Sequence, residues 1–188
     1  LIVLGLNHHT APVELRERVS VSESQQEQAL RDLANQPGIK HVVLLSTCNR
    51  TEIYAQIETE HEHIPAQWLA KYHDIDSEVL STYLYRHQDA LAVKHLFRVA
   101  AGLDSLIVGE PQILGQVKQA WNNARAHNTV HGVLNRLFQH TFAMAKRIRT
   151  ETQIGANPVS VAYASVKLAR QLFSQLDQAN VLLIGAGE

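Results

Sequence analysis

One cysteine occurs in 188 residues, so no disulfide can form within the chain and no cysteine-rich zinc site can be built. Cys48 is therefore either a small buried hydrophobe or a reactive thiol. A run of about 18 apolar residues, the length needed to cross a bilayer as a helix, is absent. The opening Leu1-Ile2-Val3-Leu4-Gly5-Leu6 has neither the basic flank nor the small-residue cleavage site of a signal peptide, which makes a cytoplasmic protein with no membrane partner the expectation. Charge excess is missing too. Seventeen Lys and Arg stand against 18 Asp and Glu, so no global field draws in a polyanion, and any contact with nucleic acid must come from a local patch. The densest such patch is Lys146, Arg147 and Arg149, with Arg136 upstream on the same helical stretch; a solvated helix face is the favoured reading of it. Internal repeats and low-complexity segments are also lacking. The chain has 11 histidines, but in His61-Glu62-His63 the two rings are two residues apart and do not share a helix face, so no metal site is expected.

What is present is the composition of a globular protein, 45% hydrophobic, with a clear division of pattern. Residues 1–8 read as a buried strand. Ser22 and Gln25 form a capping box opening a helix to about Gln36, where Pro37-Gly38 stops it. His41–Thr47 reads as a second strand. Arg50–Ile57 alternates Ile53, Ala55 and Ile57 with Glu52, Tyr54 and Gln56, the period of a half-buried strand. Pro65 suits the first turn of a short helix, Asp76 the start of another, and Thr82–Arg86 a fourth strand. The order β-α-β-β-α-β over residues 1–88 predicts a ferredoxin-like subdomain and hence an α+β fold. Residues 89–150 predict a helical bundle packed on it, from the 3.6-residue periodicity of Leu96, Phe97 and Ala100, of Ile113, Val117, Ala120 and Ala124, and of Leu134, Leu137, Phe138, Ala145 and Ile148. From residue 151 onward, Asn157-Pro158 opens a linker helix to about Phe173. It leads to the apolar strand Val181–Ile184 and to Gly185-Ala186-Gly187-Glu188, the opening of a glycine-rich turn. That ending reads as the first strand of a truncated Rossmann domain.

The chemistry centres on the turn between the second and third strands. A cysteine there has its sulfur near solvent, and Arg50 two residues on supplies positive charge favouring the thiolate, the nucleophilic form. An inert turn cysteine is the alternative. Two further readings stay open from the residues themselves: a cysteine acyltransferase or hydrolase with Cys48 and His95 as its dyad, and a non-catalytic RNA-binding or regulatory module.

Thr47-Cys48-Asn49-Arg50-Thr51-Glu52 resembles the active-site segment of glutamyl-tRNA reductases. Three further stretches agree in family order: Gly5-Leu6-Asn7-His8-His9-Thr10-Ala11-Pro12, His95 through Ser105, and Val108 through Gln116. The resemblance implies that a Cys48 thiolate takes glutamate from glutamyl-tRNA as a thioester, and that NADPH reduces the thioester to glutamate-1-semialdehyde for tetrapyrrole synthesis. It implies Arg50 as partner of the substrate's side-chain carboxylate and His95 as a proton-transfer group. Thr47, Asn49, Ser105 and Gln116 become hydrogen-bonding groups around the glutamyl moiety, Glu110 and Gln112 further substrate-binding candidates, and Glu52 a substrate or supporting group. Gly185 and Gly187 become the start of the NADPH site. A homodimer through a later domain, a partnership with glutamate-1-semialdehyde aminotransferase and haem inhibition are further implications, and His8 and His9 receive no role. A chain ending here is expected to retain at most the thioester or esterase half-reaction.

Overall fold

The computed structural model describes residues 1–155, together with Val166 and Ala169, both helical. The rest of the expected linker helix, the strand Val181–Ile184, and Gly185 and Gly187 lie outside the described residues.

Four strands, β1 (Ile2–Asn7), β2 (Ile39–Ser46), β3 (Arg50–Ile57) and β4 (Tyr85–Gln88), form one antiparallel sheet in the order β2-β3-β1-β4. Between β1 and β2 lie α1 (Val13–Arg18) and α2 (Gln26–Ala34); between β3 and β4 lie α3 (Ile64–Tyr72) and α4 (Ser77–Ser81). Ser22 does open the segment leading into α2, its backbone N–H donating to Gln25 Oε1 at 3.2 Å, but the first turn is a 3-10 turn over Glu23–Gln25. Asp76 caps α4 by accepting from the backbone N–H of Glu78 at 2.8 Å and of Val79 at 3.0 Å. One element and one boundary differ from expectation. The six-residue α1 buries no residue completely, so it carries too little apolar periodicity to be read. The fourth strand begins at Tyr85 instead of Thr82, whose hydroxyl donates to Val79 O at 2.8 Å in the last turn of α4.

Three longer helices follow, α5 (Asp89–Ala100), α6 (Gln112–Ala126) and α7 (Gly132–Glu151), as the periodicity predicts. None of the helices among the described residues is long and apolar enough to cross a membrane. The sheet separates two cores. Ile2, Leu6, Val42, Leu44, Ile53 and Ala55 point to the side covered by Leu30, Leu33 and Leu69 of α2 and α3. Val3, Val43, Leu45 and Tyr54 point to the side covered by Leu96, Val117, Leu134 and Phe138 of α5, α6 and α7.

Double coverage corrects the reading of β3 as half-buried: Arg50 through Ala55 are all buried. The alternation is real, but its polar side faces a second core, where the polar groups satisfy one another. Gly5 makes room for this. It stands opposite both Glu52 and Tyr85 across β1, and a Cβ there would lie 2.5 Å from Thr51 O and 2.8 Å from Glu52 Cγ. Gly5→Ala is expected to destabilise the chain by about 1–3 kcal/mol. The check is thermal melting, with Tm falling by about 3 °C per kcal/mol; an unchanged Tm would show that Glu52 and β1 give way freely.

Candidate functional site

The β2–β3 turn is pinned by one threonine. The Thr47 hydroxyl oxygen accepts from the backbone N–H groups of Asn49 and Arg50, each at 3.2 Å, while Thr47 N donates to Arg50 O at 2.8 Å. These bonds hold Cys48 at the apex, where it is exposed, as a nucleophilic thiol requires. Cys48, Thr47, Asn49 and Ser46 line a cleft of about 470 Å³ with Arg16, Glu17 and Ser20 from α1 and the segment after it.

Arg16 is the cation at this cleft. Its Nη1 donates to Asn49 Oδ1 at 2.8 Å and to Cys48 O at 3.2 Å. Sequence reasoning missed it because it sits on the short α1, and gave Arg50 the part of thiolate-favouring charge. The structure places Arg50 with its side chain on the face of the second core, only 1% exposed, with its charge met by two carboxylates. A side chain two residues along a strand from the turn points to one face, here the face of the second core.

On that face lies a buried polar network built around Glu52. Its Oε1 accepts from Arg50 Nη1 at 2.6 Å, from His95 Nε2 at 2.9 Å and from the Tyr85 hydroxyl, and its Oε2 accepts from the Tyr54 hydroxyl. A carboxylate only accepts, so His95 presents Nε2–H to it. Burial by itself would raise the Glu52 carboxyl; Arg50 beside it, with the bonds from His95 and Tyr54, instead holds it far below the usual carboxylate range. Burial and the Glu52 charge push both tyrosine hydroxyls well up, so they stay protonated and donate. Arg50 Nη2 reaches the loop between α5 and α6, donating to Asp104 O and to Asp104 Oδ2, the latter at 3.1 Å. Asn7 Nδ2 donates to the same carboxylate oxygen at 3.2 Å. His8, the next residue, lies in the fields of Arg50, Asp104 and Arg16; burial, then His9, lowers its pKa, and its Nδ1 is buried with no hydrogen-bond partner among the described residues. Sequence reasoning gave His8 no role, although it lies at the end of a buried strand and within one of the stretches that resemble the family.

The remaining candidates divide. Ser105 is buried beside Asp104. Gln116 lines a separate cavity of about 220 Å³ that shares Val21 and Ser46 with the cleft at Cys48. Glu110 offers its backbone oxygen to Arg149 Nη1 at 3.2 Å, and Gln112 is exposed at the start of α6. Among the described residues no hydrogen bond joins Ser105, Glu110, Gln112 or His95 to the Cys48 turn. The basic patch on α7 is also less free than its sequence implies. Arg149 Nη1 closes the neck of the α5–α6 loop by donating to Ala101 O as well as Glu110 O, and Arg147 pairs with Glu151 at 3.2 Å.

Fold and site together define a class: an α+β domain that exposes a single thiol on a strand-to-strand turn, backed by a buried Arg-Glu-His network. Comparison with known proteins names it further. The model of the family described as glutamyl-tRNA(Glu) reductase, N-terminal domain, matches residues 4–152, and the chain belongs to that family. It is 53% identical over 188 residues to the glutamyl-tRNA reductase of Pseudoalteromonas translucida strain TAC 125, covering all of this chain and 45% of that protein. The corresponding enzyme of Xanthomonas campestris pv. phaseoli is 56% identical, with 43% of its length covered. The solved glutamyl-tRNA reductase from Methanopyrus kandleri superposes with a TM-score of 0.70 at 34% identity, over the whole of this chain and 43% of that one. The chain thus spans less than half the length of the relatives it matches.

Proposed function

We propose that this chain is the substrate-activating part of an NADPH-dependent glutamyl-tRNA reductase acting in tetrapyrrole synthesis, with Cys48 as nucleophile. The observation that carries the reading is the exposed Cys48 thiol at a pinned turn, open to a cleft that Arg16 borders. The Cys48 thiolate adds to the ester carbonyl that joins glutamate to the terminal ribose of its tRNA. The C–S bond forms, the C–O bond breaks, and the departing ribose oxygen takes up a proton. Arg50 receives the substrate's side-chain carboxylate, a role for which a guanidinium fork is shaped. His95, oriented by Glu52, is the candidate for moving the proton. NADPH, when bound, supplies the hydride that converts the thioester to the aldehyde and frees the thiolate; Gly185 and Gly187, assigned to it by resemblance, lie outside the described residues.

Strand order and antiparallel pairing support reading residues 1–88 as ferredoxin-like; the division into 89–150, completing the catalytic unit, and 151–188, beginning the nucleotide-binding domain, rests on the sequence pattern. A Cys48–His95 hydrolase dyad has less support, because the only hydrogen bond of the His95 ring among the described residues goes to Glu52. The test is incubation of the chain with radiolabelled glutamyl-tRNA and no NADPH. The expected result is label covalently held on the protein and slow release of glutamate. Equal deacylation by a Cys48→Ser variant, with no label on either protein, overturns the reading.

A further inference from the structure

Arg50 holds two carboxylates, and they differ in one respect. Glu52 is 0% exposed and shut in by Tyr54, Tyr85 and His95, whereas the Asp104 side chain is 16% exposed. The Arg50 side chain is 1% exposed, and of its two carboxylate partners Asp104 is the one that solvent reaches, so the place Asp104 fills is the most open approach to it among the described residues. We infer that Asp104 is a specificity-determining residue of this site: its carboxylate shares the second arm of the Arg50 fork with its own backbone oxygen, and the side-chain carboxylate of the substrate must displace the Asp104 side chain from that arm.

The inference rests on the proposed part of Arg50, and the physical case for it is one of exchange. Removing one partner from a buried ion pair leaves an uncompensated charge and costs several kcal/mol. Replacing one carboxylate by another leaves the charge of the Arg50 cluster unchanged and its Nη2 still bonded. A substrate with a neutral side chain offers only a weaker amide or no acceptor at all, so it cannot compete with Asp104. Selection against such substrates follows without any contact that clashes with them.

The loop that bears Asp104 is built to let it go. Gly102 and Gly109 have φ of +79° and +85°, a region closed to most side chains, and Gly109 N donates to Gly102 O at 2.9 Å across the neck. Arg149 bonds both stems, at Ala101 O and Glu110 O, so displacement of Asp104 is confined to the residues between them. Leu106 and Val108, at 58% and 59% exposure, make no buried contact that would resist such a movement, so what anchors this stretch is Leu103 and the buried Ser105 on either side of Asp104.

The experiment measures the adduct-forming rate of the chain against glutamyl-tRNA concentration, for the native sequence and for Asp104→Asn, whose amide keeps the side-chain shape but not the charge. If Asp104 holds the fork for about nine-tenths of the time, the half-saturating concentration falls about tenfold in the variant. That shift exceeds any change in maximal rate, and preference over glutaminyl-tRNA falls with it. Half-saturation that is unchanged, or a slower maximal rate with weaker half-saturation, makes Asp104 a support for Arg50 and overturns the inference while leaving Cys48 chemistry intact. Asn7→Ala, which removes the second group holding the Asp104 carboxylate, must move half-saturation in the same direction, and it decides alone if Asp104→Asn does not fold. A native chain that forms no Cys48-dependent adduct sinks the functional reading and this inference together.

Discussion

Glu52→Gln is expected to cost about 3–5 kcal/mol of stability, the loss typical when one partner of a buried ion pair is removed, against a total of about 5–15 kcal/mol for a domain. The substitution keeps size and shape. It replaces an acceptor-only carboxylate by an amide whose NH2 confronts donors from Arg50, His95, Tyr54 and Tyr85, and it leaves Arg50 buried with Asp104 as its sole counter-charge. The pH dependence gives an independent check. The folded-state pKa of Glu52 is depressed below its ordinary 4.5, so its contribution is complete above about pH 4.5 and is lost as the solution is made more acidic. Denaturant titrations from pH 7 to pH 3 should show the native chain losing stability on the acid side more steeply than the variant, by about 1.4 kcal/mol per pH unit per proton. Parallel acid limbs, or a variant within about 0.5 kcal/mol of the native chain, would show that the network carries little net energy.

Cys48→Ser is expected to reduce adduct formation with glutamyl-tRNA to below about one-thousandth, the scale of loss when a nucleophile acting as part of a unit is removed. A serine at the apex of the turn keeps the backbone geometry, since Thr47 makes the pinning bonds and the Cys48 side chain makes none of them. It loses the ionisable nucleophile, and no histidine among the described residues hydrogen-bonds that position to serve as its base. Arg50→Lys is the companion variant. A lysine has one charged nitrogen where the guanidinium reaches Glu52 with one arm and Asp104 with the other, so kcat/KM for adduct formation is expected to fall about 10–100-fold. Substantial adduct on the Cys48→Ser protein removes the assignment of the nucleophile; a lysine variant with native kcat/KM shows that the fork is not used.

Much of this was legible in the chain. The four strands, the long helices α5, α6 and α7, and Cys48 at a strand-to-strand turn follow from hydrophobic period and turn chemistry, which act over a few residues and so leave a mark in local sequence. The four motifs in order pointed to the family that the comparisons then showed. The short α1 left no such mark, and Arg16 was missed with it.

Sequence by itself determined which groups are available: one thiol, an arginine and a glutamate at alternate positions after it, and a histidine on a following helix. Tertiary structure decided what each one faces. Period two says that Arg50, Glu52 and Tyr54 share a side of β3, but whether that side meets water or a second core depends on α5, α6 and α7 folding back over the sheet. That closure brings in His95 and Asp104 from 43 and 54 residues away, and it turns the polar side of what reads as a half-buried strand into a buried charge network. The physical reason is that ion pairing in the interior is set by desolvation and by distance through space. Neither quantity has a period along the chain, so only the assembled fold distinguishes Arg16 at the cleft of Cys48 from Arg50 beneath the sheet.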